Sequence, residues 1–338
     1  MNMENFLQDL AIDTRPASNR LNPKMNNFLN DVLKGLQSFP KYLDSKYFYD
    51  KKGDELFQKI MASDDYYLTD AEMEILTEQK TEIADAVLTG AETLDVIEFG
   101  AGDATKSIHL LREFYERKSI ANYFPIDISK NIIDLLDKNI PNKIPGLNIH
   151  GLHGEYFEML EEADRISEKK KLVLFLGANI GNFKFNAMPA FCRKLRSQLS
   201  MGDMVLIGFD LKKDPKKILA AYDDAEGITS QFNLNLLNRI NKELAANFDL
   251  NNFEHYAMYD PDSGACKSYL VSMKEQQVHL SGTVISFKKD ETIFMEISHK
   301  YSISQIDEIA VQCGFTPVAH FFDTKKYFVD VIWECDQM

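Results

Sequence analysis

The chain has 338 residues, 45% hydrophobic and 27% charged, and 38 basic against 52 acidic side chains leave a net charge of −14. That length makes two domains a better expectation than one. The acidic balance argues against non-specific nucleic-acid binding, which needs a basic face to displace counterions, and weakly against an anionic membrane surface.

Residues 1–30 are polar with scattered apolar positions and read as a loosely packed lead-in. The opening MNMENFLQDLAIDTRPASNRL has neither the basic nor the apolar block of a signal peptide, and no run in the chain approaches the ~20 apolar residues of a membrane span. Residues 31–90 read as helical, in the pieces NDVLKGL, GDELFQKIMA and TDAEMEILTEQKTEIADAVL. Thr69 or Asp70 is expected to cap the last of these, with Glu72 and Glu74 favouring its positive end. Met73, Leu76, Ile83 and Val87 fall near one face.

The texture then changes. LDVIEFG (94–100), YFPIDI (123–128), LNIHGLHG (147–154), KKLVLFLGANIGNF (170–183) and DMVLIGFDL (203–211) read as strands, and the stretches TKSIHLLREFYERK and SKNIIDLLDKNI between them as helices. Ser129 is the expected N-cap of the second. Strands that are almost continuously apolar and alternate with helices predict a parallel sheet covered on both faces, so residues 91–211 form an open doubly wound α/β core. Helices follow: DPKKILAAYDDA, with Asp214 as cap and Pro215 in first position, and ITSQFNLNLLNRINKEL, with Phe232, Leu236, Ile240 and Leu244 four residues apart. Residues 253–300 read as strands with polar turns. The C-terminus reads as one helix ending at Gly314 and a β-hairpin that adds an antiparallel strand to the sheet. The segments flanking the core are expected to join as a second domain facing the C-terminal edge of the sheet, where open α/β folds bind ligands.

The four cysteines, Cys192, Cys266, Cys313 and Cys335, are widely spaced with no C-x-x-C, and read as reduced thiols of a cytoplasmic protein. No H-E-x-x-H occurs, and no metal is expected.

The strongest local chemistry is Glu98-Phe99-Gly100-Ala101-Gly102-Asp103-Ala104. Gly100 and Gly102 let backbone approach a ligand, although a G-x-G is equally a tight strand-to-helix turn. The third glycine of the dinucleotide fingerprint is replaced by Thr105, which disfavours an NAD-dependent oxidoreductase. Glu98 and Asp103 would repel a pyrophosphate but suit a cationic or neutral ligand. Asp127 ends the second strand, where a carboxylate accepts hydrogen bonds from ribose hydroxyls; its bland alternative is a helix-capping carboxylate beside Ser129. Adenosine carrying a positive sulfur, S-adenosylmethionine (SAM), satisfies all three features. At the same edge, Gly177-Ala178-Asn179-Ile180-Gly181-Asn182-Phe183 offers neutral forked amides for a carboxylate or amine, or else a turn in which asparagines tolerate left-handed dihedrals.

Across KYFYDKKGDELFQKI…DDYYLTDAEMEIL, VIEFGAGDATK, YFPIDIS, LFLGANIGNF, LIGFDLKKDPKKILAAYDDAEGITSQFNLNLLNRIN, FEH and FMEISHKY, the sequence resembles the SAM-dependent histidine Nα-methyltransferases that open ergothioneine biosynthesis. The resemblance implies a Rossmann-like SAM methyltransferase α/β sheet, doubly wound and with an antiparallel C-terminal hairpin, plus a second α+β substrate domain. It implies substrate binding by residues 1–72 and 212–297, and SAM binding by 73–211 and 298–338. By the same resemblance Tyr49, Gly100, Gly102, Lys106, Asp127, Glu155 and Tyr156 contact SAM. Tyr66, Asn182 and Tyr222 hold the substrate carboxylate; Phe57, Gly177 and Phe232 shape the amine pocket; Glu296 and Ser298 read the imidazole. Asn182, Tyr222, Phe57 and Gly177 surround the reacting amine.

This chain departs from the family with Glu155 in place of the usual Asp, Asn179 where threonine is common, and Ser268 where a methionine faces the imidazole. The implied reaction transfers methyl groups to the α-amine of a free amino acid, L-histidine first, as far as trimethylhistidine. Alternatives are an N-methyltransferase for another amino acid or amine, such as a tryptophan derivative, and a non-catalytic SAM-binding protein. The expected partner is a small-molecule amino acid, with no nucleic acid, no membrane, and a monomer or weak homodimer.

Overall fold

The computed structural model describes residues 23–88, 93–183 and 187–335. The chain opens with α1 (Pro23–Gln37), a two-residue strand β1 (Lys41–Tyr42), and helices α2 (Lys51–Met61), α3 (Tyr67–Glu78) and α4 (Lys80–Val87). Strand and helix then alternate: β2 (Leu94–Phe99), α5 (Ile108–Glu116), β3 (Ile120–Asp127), α6 (Lys130–Lys143), β4 (Leu152–His153), α7 (Tyr156–Ile166), β5 (Lys171–Phe175), α8 (Met188–Ser197) and β6 (Met204–Asp210). Helices α9 (Pro215–Ala220) and α10 (Ile228–Leu244) lead into β7 (Phe253–Asp260), β8 (Ala265–Ser272), β9 (Gln276–Leu280), β10 (Thr283–Phe287) and β11 (Thr292–His299). The chain closes with α11 (Ile303–Gln312), β12 (Phe315–Phe322) and β13 (Phe328–Cys335).

The main sheet has seven strands in the order β12-β13-β6-β5-β2-β3-β4. The run from β6 to β4 is parallel, and β13 inserts antiparallel between β6 and β12. Every residue of β2, β5 and β6 is buried, as a sheet covered on both faces requires. One core, around Ile75, Val96, Leu172 and Ile332, fills one face; the other, around Ile97, Val173, Ile207 and Trp333, fills the opposite face. The expected doubly wound sheet with its antiparallel hairpin is what the chain forms.

Four local expectations need correction. The lead-in ends earlier than residue 30, because α1 already starts at Pro23; residues 1–22 lie outside the described residues. The long helix of residues 69–88 is two helices, since Gln79 leaves helical dihedrals at φ −115° and ψ 14°. Its first turn begins at Tyr67, not at a Thr69 or Asp70 cap, because backbone bonds Tyr66 N to Ser63 O and Tyr67 N to Asp65 O start the winding earlier. The third strand candidate shrinks to Leu152–His153 plus one bridge from Ile149 to Tyr123, as Gly151 interrupts an edge strand.

A second sheet, in the order β1-β11-β8-β7, is antiparallel apart from the β1–β11 pair. Strand β8 alternates buried and half-buried residues, the pattern of a sheet with one face packed. Phe28, Leu56, Phe232, Leu236, Leu270 and Ile293 belong to a third core, drawn from the segments before β2 and after β6. The two sheets are stitched where β11 ends: Tyr301 N donates to Asp210 O at 3.0 Å and Lys212 N to Tyr301 O at 2.9 Å. This seam brings the end of β11 against the C-terminal end of β6.

Asp50 ties the helical layer together. Its Oδ1 accepts from Gly53 N at 2.7 Å, capping α2, and from Asn235 Nδ2 on α10 at 2.8 Å. Asp50→Ala removes the cap and the inter-helix bond, and urea unfolding should show a loss of about 1–2 kcal/mol. A loss below about 0.3 kcal/mol would mean the cap contributes nothing.

Candidate active site

The loop after β2 turns through Gly100 (φ 67°) and Gly102 (φ 52°). A Cβ on Gly100 would sit 3.0 Å from the Tyr156 hydroxyl, while one on Gly102 would meet nothing within 4 Å, so the space beside Gly102 is open. Asp127 has the capping geometry and also faces the glycine loop. Its Oδ1 accepts from Ser129 N at 2.8 Å, as a capping carboxylate does, and its Oδ2 lies 3.4 Å from Gly102 N, facing the glycine loop. Burial pushes the Asp127 carboxyl above the ordinary range, against the lowering effect of those backbone donors. The Tyr156 ring stacks on Phe99 at 4.7 Å, and Glu155 stands at the α7 N-cap without making a side-chain cap bond.

Glu98 differs from expectation. It is buried, Tyr123 donates to it, and burial pushes its carboxyl up to about 7. It therefore adds no charge to the loop surface. Asp103 caps Thr105 N at 3.0 Å on the exposed side.

Lys106 pairs with Glu72, whose side chain is fully buried. The same carboxylate accepts from Gly177 N at 2.6 Å, so it ties the first glycine loop to the loop after β5. In that second loop Asn179 Nδ2 donates to Leu176 O at 2.9 Å and serves its own turn. Asn179 and Asn182 both line a cavity, the first with its amide nitrogen already committed.

That cavity brings together Tyr49, Phe57, Tyr66, Gly177, Asn182, Tyr222, Phe232, Glu296 and Ser298. Every residue expected to touch the amino acid is among them. Gly100, Gly102, Lys106, Asp127, Glu155 and Tyr156 lie outside the lining, on the far side of the β5 loop. Gly177 is the shared wall: a Cβ there would lie 3.6 Å from Lys106 Nζ. Tyr49 meets Phe57 edge-on at 5.6 Å, Phe57 lies 5.9 Å from Phe232, and Tyr66 meets Tyr222 at 6.3 Å. Tyr222 sits in the turn after α9 rather than on the helix, fixed by His255 Nε2 donating to its carbonyl at 3.0 Å.

Strand periodicity puts Glu296, Ser298 and Lys300 on one side of β11 and its continuation. Ser268 lies directly across from Glu296 on β8, buried, and is not part of the lining. Glu296 carries no hydrogen bond from any of the described residues, and burial pushes its carboxyl up to about 7, against the lowering effect of the Lys300 charge. A buried carboxylate without a partner is costly unless a ligand supplies one.

Several residues of the site escaped sequence reasoning. Glu72 was placed as a helix-dipole residue, yet it is the buried anchor of two loops. Asp210, Lys300, Tyr67 and Lys213 form a buried cluster behind Tyr222 and Ser298. The signals were present: Asp210 ends a strand at the ligand edge, as Asp127 does, and Lys300 continues the alternation of Glu296 and Ser298.

Over residues 28–335 the chain matches a family described as histidine-specific methyltransferase, SAM-dependent. It is 35% identical over 273 residues to the histidine N-alpha-methyltransferase of Mycobacterium tuberculosis, covering 80% of this chain and 83% of that one. It is 30% identical over 288 residues to ergothioneine biosynthesis protein 1 of Schizosaccharomyces pombe, covering 83% of this chain and 37% of that longer protein. It is 28% identical over 326 residues to an L-tryptophan methyltransferase of Psilocybe serbica, covering 88% and 90%.

The Glu296 environment has a measurable cost. Its carboxyl titrates near 7 in the fold against an ordinary value of 4.5. Ionising it therefore disfavours the fold as pH rises above 4.5, and the penalty is complete above 7. Glu296→Gln should make the ligand-free protein more stable than wild type by about 2 kcal/mol at pH 8, with the difference vanishing near pH 4. Denaturation curves at both pH values check this, and a less stable variant at pH 8 would contradict it.

Proposed function

The chain belongs to the family of SAM-dependent, histidine-specific methyltransferases, and from that premise we propose how its parts perform the reaction. The protein is a SAM-dependent N-methyltransferase, and its reaction is the methylation of histidine. The acceptor in our reading is the α-amine of the free amino acid, carried as far as the trimethylated product. The substrate lobe comprises residues 1–72 and 212–297, and the SAM lobe residues 73–211 and 298–338. The wide spacing of four buried cysteines supports a cytoplasmic setting.

The glycine loop suits SAM. The open space beside Gly102 and the Asp127 and Glu155 carboxylates as acceptors for ribose hydroxyls fit a nucleoside with a cationic tail. Gly100, Gly102, Asp127, Glu155 and Tyr156 would hold the nucleoside, Lys106 the carboxylate of the tail, and Tyr49 the side facing the cavity. When bound, SAM supplies an electrophilic methyl group on a positive sulfur.

The rest is done by the cavity. Tyr66, Asn182 and Tyr222 hold the substrate carboxylate with neutral donors. Phe57, Gly177 and Phe232 enclose the amine and exclude water, which disfavours the ammonium and promotes the neutral nucleophile. Because the reaction moves the positive charge from sulfur to nitrogen as the C–N bond forms and the C–S bond breaks, rather than building an oxyanion, catalysis rests on holding the amine in line at near-attack distance. Glu296 accepts from one imidazole nitrogen and Ser298 addresses the other.

One observation carries the choice of histidine: the half-buried Glu296 carboxylate, which accepts no hydrogen bond from the described residues and which an imidazole N–H satisfies, with Ser298 beside it for the second ring nitrogen. Mass spectrometry of L-histidine incubated with protein and SAM should show one, two and three added methyl groups. Glu296→Gln should lower kcat/KM for L-histidine about 10–100-fold, the worth of a hydrogen bond to a charged group. Preferential methylation of L-tryptophan, or an unchanged kcat/KM in the variant, would refute the substrate assignment. The wild-type kcat/KM should rise between pH 6 and 9 as the α-amine, near 8 in peptides, loses its proton. A flat profile would contradict selection of the neutral amine.

A further inference from the structure

Lys300 is buried and its side chain has no exposure, an expensive place for an ammonium unless it has work to do. Its Nζ lies 2.8 Å from Asp210 Oδ2, and it donates to the Tyr222 hydroxyl at 2.6 Å and to Ser298 Oγ at 2.8 Å. An ammonium has three N–H donors, and these three acceptors use them all. Asp210 is shared: Lys213 pairs with its other oxygen, and Tyr67 donates to both oxygens at 3.0 and 2.9 Å. Two ammonium groups thus meet one carboxylate, with the Asp323 carboxylate acting on Lys213 and that of Glu296 on Lys300 from further off.

The hydrogen directions follow. The Tyr222 oxygen accepts from Lys300, so its own hydrogen must point elsewhere, to Ser298 Oγ at 2.9 Å or to a ligand. In the ligand-free protein Ser298 Oγ accepts from Lys300 and from Tyr222; when a carboxylate takes the Tyr222 hydrogen instead, Ser298 Oγ still accepts from Lys300 and keeps its own hydrogen to donate. Both side chains line the cavity. A hydroxyl that accepts from a cation is a stronger donor than a free one.

We propose that Lys300 is a positioning residue that sets specificity: it forces the Tyr222 and Ser298 hydroxyls to act as donors, so that the cavity demands an amino acid with a free carboxylate and an unprotonated side-chain nitrogen. This rests on the assignment of Tyr222 to the carboxylate and Ser298 to the imidazole. With Glu296 taking the N–H of one imidazole nitrogen and Ser298 donating to the other, the ring is held as one neutral tautomer. Histamine lacks the carboxylate, and an indole ring lacks the acceptor nitrogen. Each should leave a donor unpaired, which discriminates more strongly than lost contact area.

The test compares L-histidine with histamine and L-tryptophan as methyl acceptors, in wild type, Lys300→Met and Lys300→Gln. Lys300→Met should raise KM for L-histidine at least tenfold, change kcat less, and reduce the kcat/KM preference over histamine about tenfold or more. SAM affinity by calorimetry should stay within about twofold, since Lys300 touches no residue assigned to SAM. Lys300→Gln, which keeps donors for both hydroxyls without the charge, should restore part of the preference. A purely structural staple between β11 and β6 would lower thermal stability but leave the preference among acceptors intact, and that result would overturn the proposal. Should Lys300→Met fail to bind SAM as a folded protein, the double variant Lys300→Met/Asp210→Asn, which removes the buried pair together, carries the same comparison. If wild type methylates none of the three acceptors, the substrate assignment itself fails and this inference falls with it; if wild type prefers histidine and the variants keep that preference, only the role of Lys300 fails.

Discussion

The site depends on the meeting of Asp210 and Lys300. Asp210 closes β6 at the ligand edge of the main sheet, and Lys300 follows directly on β11 of the second sheet. Their ion pair has no solvent exposure at either side chain, and the backbone bond from Tyr301 N to Asp210 O lies beside it. The second sheet, whose Ala257 and Cys266 also enter the core of the main sheet, is registered against it at this seam, and Tyr222 and Ser298 of the cavity lining stand beside it. Burying an ion pair is seldom a net gain in stability. Its use in our proposal is geometric: Lys300 donates to both Ser298 and Tyr222 and so holds their oxygens as acceptors.

The polarity of the cavity follows the chemistry. Its walls are aromatic rings, neutral amides and hydroxyls, with a single carboxylate, Glu296, in the lining. Such a lining binds a zwitterion without offering the amine a strong anionic partner that would keep it protonated. Glu72 works from outside this lining, holding Lys106 on one side and the Gly177 backbone on the other. The glycine loop after β2 and the loop after β5, which in our proposal face the methyl donor and the amine, are therefore positioned by one carboxylate. Glu296 is held ready for a ligand at the expense of the empty fold.

Much of this was legible in the sequence because it is written in local pattern. Continuous apolar strands between helices specify a two-faced parallel sheet, and Gly100, Asp127, Gly177 and Asn182 mark its ligand edge by following strands. Helix α10 runs over the residues its four-residue apolar spacing suggested. Long-range partnership was not legible. Asp210 and Lys300 are distant in the chain, and nothing around either announces that they share a buried pair. Glu98 was taken as a loop charge, but strand alternation turns it inward to Tyr123. Glu72 fits a helix-dipole position equally well on the surface or in the core, and only the packing of α3 under the sheet separates the two. Asn179 and Asn182 have the same chemistry three residues apart and both reach the cavity, yet the left-handed turn at Gly177 and Ala178 commits the Asn179 amide nitrogen to Leu176 O.

The central claim is spatial: an amino acid lies with its carboxylate at Tyr66, Asn182 and Tyr222, its ring at Glu296 and Ser298, and its amine against Gly177, across from the methyl donor. A crystal structure with L-histidine and S-adenosylhomocysteine bound together tests it most directly. The account predicts the histidine nitrogen pointing past Gly177 toward the sulfur, with one ring nitrogen within hydrogen-bond distance of Glu296. A histidine bound elsewhere, or lying in the cavity with its carboxylate at Glu296 and its ring toward Tyr66, would contradict it.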